Sequence, residues 1–212
     1  MQFHETRYSR LLGLLLATLI MAVLTALTGP PAATYASATT LVGSAVTNPD
    51  VLIVAPGRIG TLKMGTTKAK AKKRGWIRYE RPCGWGAGPR ALRLDQDGNE
   101  VFKAYPDKMA RGMVLSMHAM GDVVTTKGIW ARGLGATERP GSSLDQIKAA
   151  YPTVKLKGSW RDRVTDESWP VYTTGSKTRG WLDFYLDPTT TTVIFFQVRT
   201  NSVKWGQPTF GC

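Results

Sequence analysis

The stretch from Leu182 to Val198 constrains the fold more than any other. Leu182, Phe184 and Leu186 alternate with Asp183 and Tyr185, an Asp187-Pro188 break follows, and Val193-Ile194-Phe195-Phe196-Gln197-Val198 is apolar almost throughout. A period of two sends successive side chains to opposite faces, so the sequence predicts a hairpin with at least one buried face. The pattern recurs upstream. Leu92 and Leu94 alternate with Arg93 and Asp95 ahead of the turn pair Asp97-Gly98, and Val101-Phe102 resumes the strand. Met113, Leu115 and Met117 alternate with Val114, Ser116 and His118, which assigns His118 to a sheet surface. Lys157 to Gly180, rich in Trp, Arg, Asp and Gly, reads as strand-and-loop surface.

Two segments carry helix signals. Thr66-Thr67-Lys68-Ala69-Lys70-Ala71-Lys72-Lys73-Arg74-Gly75 offers a threonine cap, helix-forming Ala and Lys, late cations that complement the helix dipole, and a terminal glycine. With only Ala69 and Ala71 to bury, this helix must lean on neighbours such as Leu62, Met64 and Trp76. The second runs from Gly141 to Pro152. Leu144, Ile147 and Tyr151 share one helical face, and Asp145 stands three residues after Ser142 as an acidic capping-box partner.

The N-terminus reads as a secretory signal peptide. Arg7 and Arg10 precede the apolar run Leu11 to Leu27, and a small-residue stretch ends in Ala36-Ser37-Ala38, with cleavage expected after Ala38. An uncleaved anchor is the alternative, since the run is at the short edge of the roughly 20 residues that span a bilayer. Cleavage removes Arg7, Arg10 and Glu5 and leaves a net charge of +12. Outside a cell such a charge attracts wall polymers, anionic headgroups and acidic proteins rather than nucleic acid. The two cysteines, Cys83 and Cys212, are expected to pair in that oxidising compartment. Closing so long a loop is worth on the order of 4–5 kcal/mol in the chain-entropy model.

The two helix segments open alike, Gly65-Thr66-Thr67 and Gly141-Ser142-Ser143, with Ala71 and Ile147 four residues beyond, so a duplicated helix-then-sheet unit is expected. Ile59-Gly60-Thr61-Leu62-Lys63-Met64-Gly65-Thr66-Thr67, with Ala69 or Ala71, resembles the G-x-x-x-G-M-[ST]-x-x-x-A opening of small exported bacterial modules. These are the domains of beta-lactamase inhibitor proteins and BamE-type (SmpA/OmlA) envelope lipoproteins. Thr126-Lys127-Gly128-Ile129 together with Gly141 to Pro152 is similar to the second-copy pattern of actinobacterial secreted proteins. The resemblance implies two modules, each a helical hairpin against an antiparallel sheet, that bind macromolecules without catalysis. Met64-Gly65 reverses the family's Gly-Met order and Trp130 to Pro140 is an insertion, so no inhibitory residue is carried across.

Conventional catalytic sets are scarce. His118 is the single histidine left after cleavage, and a zinc site needs more His and Cys than remain. Asp162, Asp166 and Glu167 lie close together near Trp160 and Trp169, as a carboxylate pair in a glycan cleft would. Arg161 and Arg163 interleave them, which also fits salt-bridged loop charges. The densest charge feature is basic: Lys68, Lys70, Lys72, Lys73 and Arg74, flanked by Lys63, Arg78 and Arg81 and by Trp76, Tyr79 and Trp85. It is read as a surface for docking onto an anionic surface, arginine and aromatic side chains being frequent interface anchors. A solvated helix face is the plainer alternative. The seven tryptophans are taken first as core.

The expectation is thus an α+β protein of two tandem small modules, each a helix or helical hairpin packed on an antiparallel sheet. Residues 1–38 are assigned to the signal, 39–54 to a flexible lead-in with a short edge strand, 55–120 to the first module and 121–212 to the second. The expected role is that of a monomeric, secreted, cell-wall-associated binding protein without catalysis, metal or cofactor, docking onto a protein or an anionic wall polymer. Contact with a membrane is expected only through an uncleaved signal. The alternative is a cell-wall glycan hydrolase using the Asp162, Asp166 and Glu167 loop.

Overall fold

The computed structural model describes residues 50–82, 84–134, 139–161 and 166–205, all of them in one compact unit. The expected signal, the Cys83–Cys212 bond and Asp162 lie outside the described residues. In chain order the elements are β1 (Leu52–Ala55), β2 (Arg58–Ile59), β3 (Leu62–Lys63), α1 (Lys68–Lys73), β4 (Ile77–Glu80), β5 (Gly84–Ala87), β6 (Leu92–Leu94), β7 (Glu100–Ala110), β8 (Met113–Gly121) and β9 (Val123–Thr125). There follow α2 (Leu144–Ala150), β10 (Lys155–Arg161), β11 (Ser168–Ser176), β12 (Gly180–Leu186) and β13 (Val193–Arg199). No helix among the described residues is long and apolar enough to cross a membrane.

The expected hairpin forms as β12 and β13, antiparallel with Phe184 opposite Phe196 and Asp183 opposite Gln197. The Asp97-Gly98 turn likewise joins β6 to β7. These strands belong to a single curled half-barrel sheet of seven strands in the order β10-β11-β12-β13-β8-β7-β6. The pair of helix-on-sheet modules expected from the sequence is therefore incorrect. Strands from both expected modules share this sheet, and its seam is the antiparallel pair β8 and β13, with His118 opposite Gln197.

The reason lies in the side chains of that hairpin. Phe184 and Phe196 point to one face and Tyr185 and Phe195 to the other, and all four are buried. A strand apolar on both faces is a poor edge, and β8 covers the free side of β13. The helices are too small to cover a sheet alone: α1 buries only Ala71 and α2 only Ile147.

One face of the sheet carries the main core. Phe102, Ala104, Met117, Ala119, Leu182, Phe184, Phe196 and Val198 pack with Ala71 of α1, Ile147 of α2 and the side chains of a second sheet. Each fully buried Phe or Leu contributes roughly 1.5–3 kcal/mol. That second sheet has the order β3-β2-β1-β9, with β1 and β9 parallel. The short strand expected at an edge within 39–54 is instead interior: β1 lies between β2 and β9, with Leu52 and Val54 buried, while residues 39–49 of the expected lead-in lie outside the described residues.

Both helix caps are visible. Thr67 caps α1, its hydroxyl accepting from the Lys70 amide. For α2 the cap is Ser143, not Ser142, and the capping-box partner is Gln146, not Asp145. The Ser143 amide donates to Gln146 Oε1 at 2.8 Å while the Gln146 amide donates back to Ser143 Oγ. Ser142 is buried and accepts from the Trp130 amide instead.

Candidate functional site

The opposite face of the seven-stranded sheet holds the chemistry. Its aromatic end is a second cluster of Trp160, Val171, Tyr185 and Phe195, with Trp169 and Trp205 packed against it. Tyr185 stacks on Phe195 with ring centroids 4.3 Å apart. All seven tryptophans are buried or half-buried.

The middle of this face is polar and dry. Arg199 on β13 meets Asp183 on β12 through two hydrogen bonds, Nε to Oδ2 at 2.5 Å and Nη2 to Oδ1 at 3.1 Å. Thr173 on β11 donates its hydroxyl to the same carboxylate. Burial pushes the Asp183 carboxyl up, and Arg199 and Thr173 oppose that push by favouring the ionised form. Next along β13, Gln197 donates to Asp107 on β7 and accepts from the Tyr185 hydroxyl at 3.1 Å. Ser116 on β8 donates to Asp107 at 2.8 Å. His118, also on β8, is fully buried between Tyr105, 5.0 Å away ring to ring, and Phe195 at 6.3 Å. Desolvation lowers its pKa to about 4 against the smaller opposing pull of Asp107. The imidazole is thus neutral at neutral pH, and the expected surface position is corrected to an interior one.

The open end of this face is cationic. After β13 the chain turns at Thr200 to Ser202 and returns across the sheet, its path fixed by Arg199 Nη1 donating to the Val203 carbonyl at 2.7 Å. Trp205 ends the crossing against Gly158 of β10, where an added Cβ would lie 2.9 Å from the indole ring. Beside this crossing lies a cavity of about 620 Å³, floored by Asp107 and Gln197 and rimmed by the exposed cations Lys108, Arg111 and Lys204. A second hollow of about 420 Å³ shares Val203, Lys204 and Trp205 with the first and adds Lys157, Trp181, Arg199 and Asn201.

Met113 and Leu115 line the first cavity, whereas Met117 sits in the core. A register shift opposite Lys108 and Met109 breaks the alternation that had placed the three on one face.

The basic residues expected to dock lie on and just after α1. Lys70, Lys72, Lys73 and Arg74 are exposed, while Lys68 is half-buried with its ammonium 5.9 Å from the Trp85 ring centroid. The helix is tied to the cavity rim: the Lys68 amide donates to the Gly112 carbonyl at 2.8 Å, in the β7–β8 turn that also carries Arg111. Asp166 makes a surface ion pair with Arg161, two bonds of 2.6 Å each, and Glu167 accepts from the Trp169 indole at 3.1 Å. Among the described residues no group of three or more His, Cys, Asp or Glu is placed to hold a metal ion.

Asp107, Ser116, Thr173, Asp183, Gln197 and Arg199 were not singled out in the sequence. The available signal was polar residues inside a strongly apolar hairpin, Asp183 on one strand with Gln197 and Arg199 on the next. In comparisons with protein-family models, curated proteins and solved structures, nothing matches this chain.

Proposed function

We propose that this is an exported, non-catalytic binding protein that seats an anionic surface polymer in the cleft between the β7–β8 turn and the Thr200–Trp205 crossing. The observation that carries this reading is the rim. Lys108, Arg111 and Lys204 stand exposed around one cavity of about 620 Å³, a size usual for ligand sites. None of the three forms an ion pair among the described residues. The excess positive charge of the chain, +13 overall, steers polyanions towards it, and the α1 cations extend the same basic surface through the β7–β8 turn.

The carboxylates behind the rim, Asp183 buried and Asp107 half-buried, are engaged by neighbours, which supports binding over turnover. Asp183 is committed to Arg199, and Asp107 to Gln197 and Ser116. For the hydrolase alternative, Asp166 would have to leave a two-point pair with Arg161 to act as acid or base.

The test is retention of the purified protein on an immobilised polyanion as salt is raised. A Lys108→Glu, Arg111→Glu, Lys204→Glu variant should elute at much lower salt than wild type with an unchanged circular dichroism spectrum. Reversal of Lys70, Lys72, Lys73 and Arg74 should weaken retention less. Elution of the cleft variant together with wild type would overturn the proposal.

A further inference from the structure

We infer that the anionic ligand of this cleft is a glycan, a polysaccharide bearing carboxylate or phosphate groups, and that Trp181 and Trp205 are its sugar platforms. The inference rests on the binding role proposed above and adds the class of ligand.

Three features separate a glycan site from a general polyanion site. Cations alone suffice for a featureless polyanion, and here they come with two half-buried indoles in adjoining hollows. The C–H groups of a pyranose carry partial positive charge, and the π face of an indole is its negative side, so sugar rings lie against tryptophan. The second hollow also offers a neutral hydrogen-bonding group matched to hydroxyls, the exposed Asn201 side chain, which accepts from the Trp181 indole N–H at 3.3 Å.

The third feature is shape. Both hollows share Val203, Lys204 and Trp205, so they form adjoining subsites on the two sides of one backbone crossing. Such an arrangement fits an extended chain of repeating units with Lys204 between the subsites. Trp181 is held for this purpose: the Arg199 guanidinium lies 5.5 Å from its ring centroid and is itself anchored by Asp183.

The experiment compares wild-type affinity for polygalacturonate with that for polyglutamate of matched length and charge spacing, read by tryptophan fluorescence and by calorimetry. Wild type should prefer the glycan by about tenfold, and Trp205→Ala or Trp181→Ala should each remove most of that preference, about five- to tenfold, while polyglutamate binding stays. Should an alanine variant lose its fold, Trp205→Phe and Trp181→Phe take its place and should weaken the preference in part. Equal wild-type affinity for the two polymers, with indole fluorescence unchanged, overturns the glycan assignment and leaves polyanion binding standing. No binding to either polymer overturns the binding role as well.

Discussion

Asp183 on β12 and Arg199 on β13 form a two-point ion pair between neighbouring strands, with side-chain exposures of 0% and 6%. A pair this dry returns little net stability as a unit, but leaving one member alone is costly. Arg199→Met should therefore lower unfolding free energy by about 3–5 kcal/mol in urea titration. An Asp183→Leu, Arg199→Met double variant should recover much of the loss. A single variant within about 0.5 kcal/mol of wild type would show that Asp183 finds another partner or is protonated without cost.

His118 gives the fold a defined acid sensitivity. Its pKa is lowered to about 4 by burial, against about 6.5 in an unfolded chain. The unfolded state thus binds more protons between those values, and stability is fully present above pH 6.5 and falls as pH drops towards 4. The loss from this group is about 3 kcal/mol. His118→Gln should flatten the stability curve in that window relative to wild type, measured by denaturant titration at stepped pH. Parallel curves for the two proteins would place the acid sensitivity elsewhere.

The cap of α2 separates two readings of one motif. Ser143→Ala should destabilise by about 1 kcal/mol. Gln146→Ala should cost more than Asp145→Ala, because Gln146 and not Asp145 bonds the cap amide. The reverse order in thermal melts would restore the Ser142–Asp145 box.

Much of the strand pattern was legible, because period-two alternation depends only on which residues face the core. The Leu182 to Val198 hairpin, the Asp97-Gly98 turn and both helices follow from local rules. What local rules do not carry is partner choice. Thr67 bridges Met113 and Ser143 bridges Thr192, so the two helical starts sit beside the beginnings of β8 and β13. Their likeness in sequence reflects similar seats along one sheet, and the expectation of separate modules failed because β8 and β13 pair with each other. The cleft was less legible still. Asp107 and Arg199 are remote in sequence, and Met113 and Leu115 reach the cavity only through a register irregularity that no alternation rule foresees. The basic helix was found because its charges are contiguous; Lys108, Arg111 and Lys204 were missed because theirs are not.

Gly57, at the turn from β1 to β2, has φ +70, and an added Cβ would lie 2.0 Å from the Arg179 carbonyl oxygen. A side chain there meets both backbone strain and a clash with the β11–β12 turn. Gly57→Ala should cost about 2–4 kcal/mol and shift the melting midpoint accordingly. A near-neutral result would mean that the two turns can separate freely.

Binding at the cleft is measured by titrating wild type and the Lys108→Glu, Arg111→Glu, Lys204→Glu variant with polygalacturonate at low and at high salt, following tryptophan emission. Wild type should show a saturable change that weakens with salt and is absent from the variant. Equal saturation of both proteins would contradict binding at the cleft.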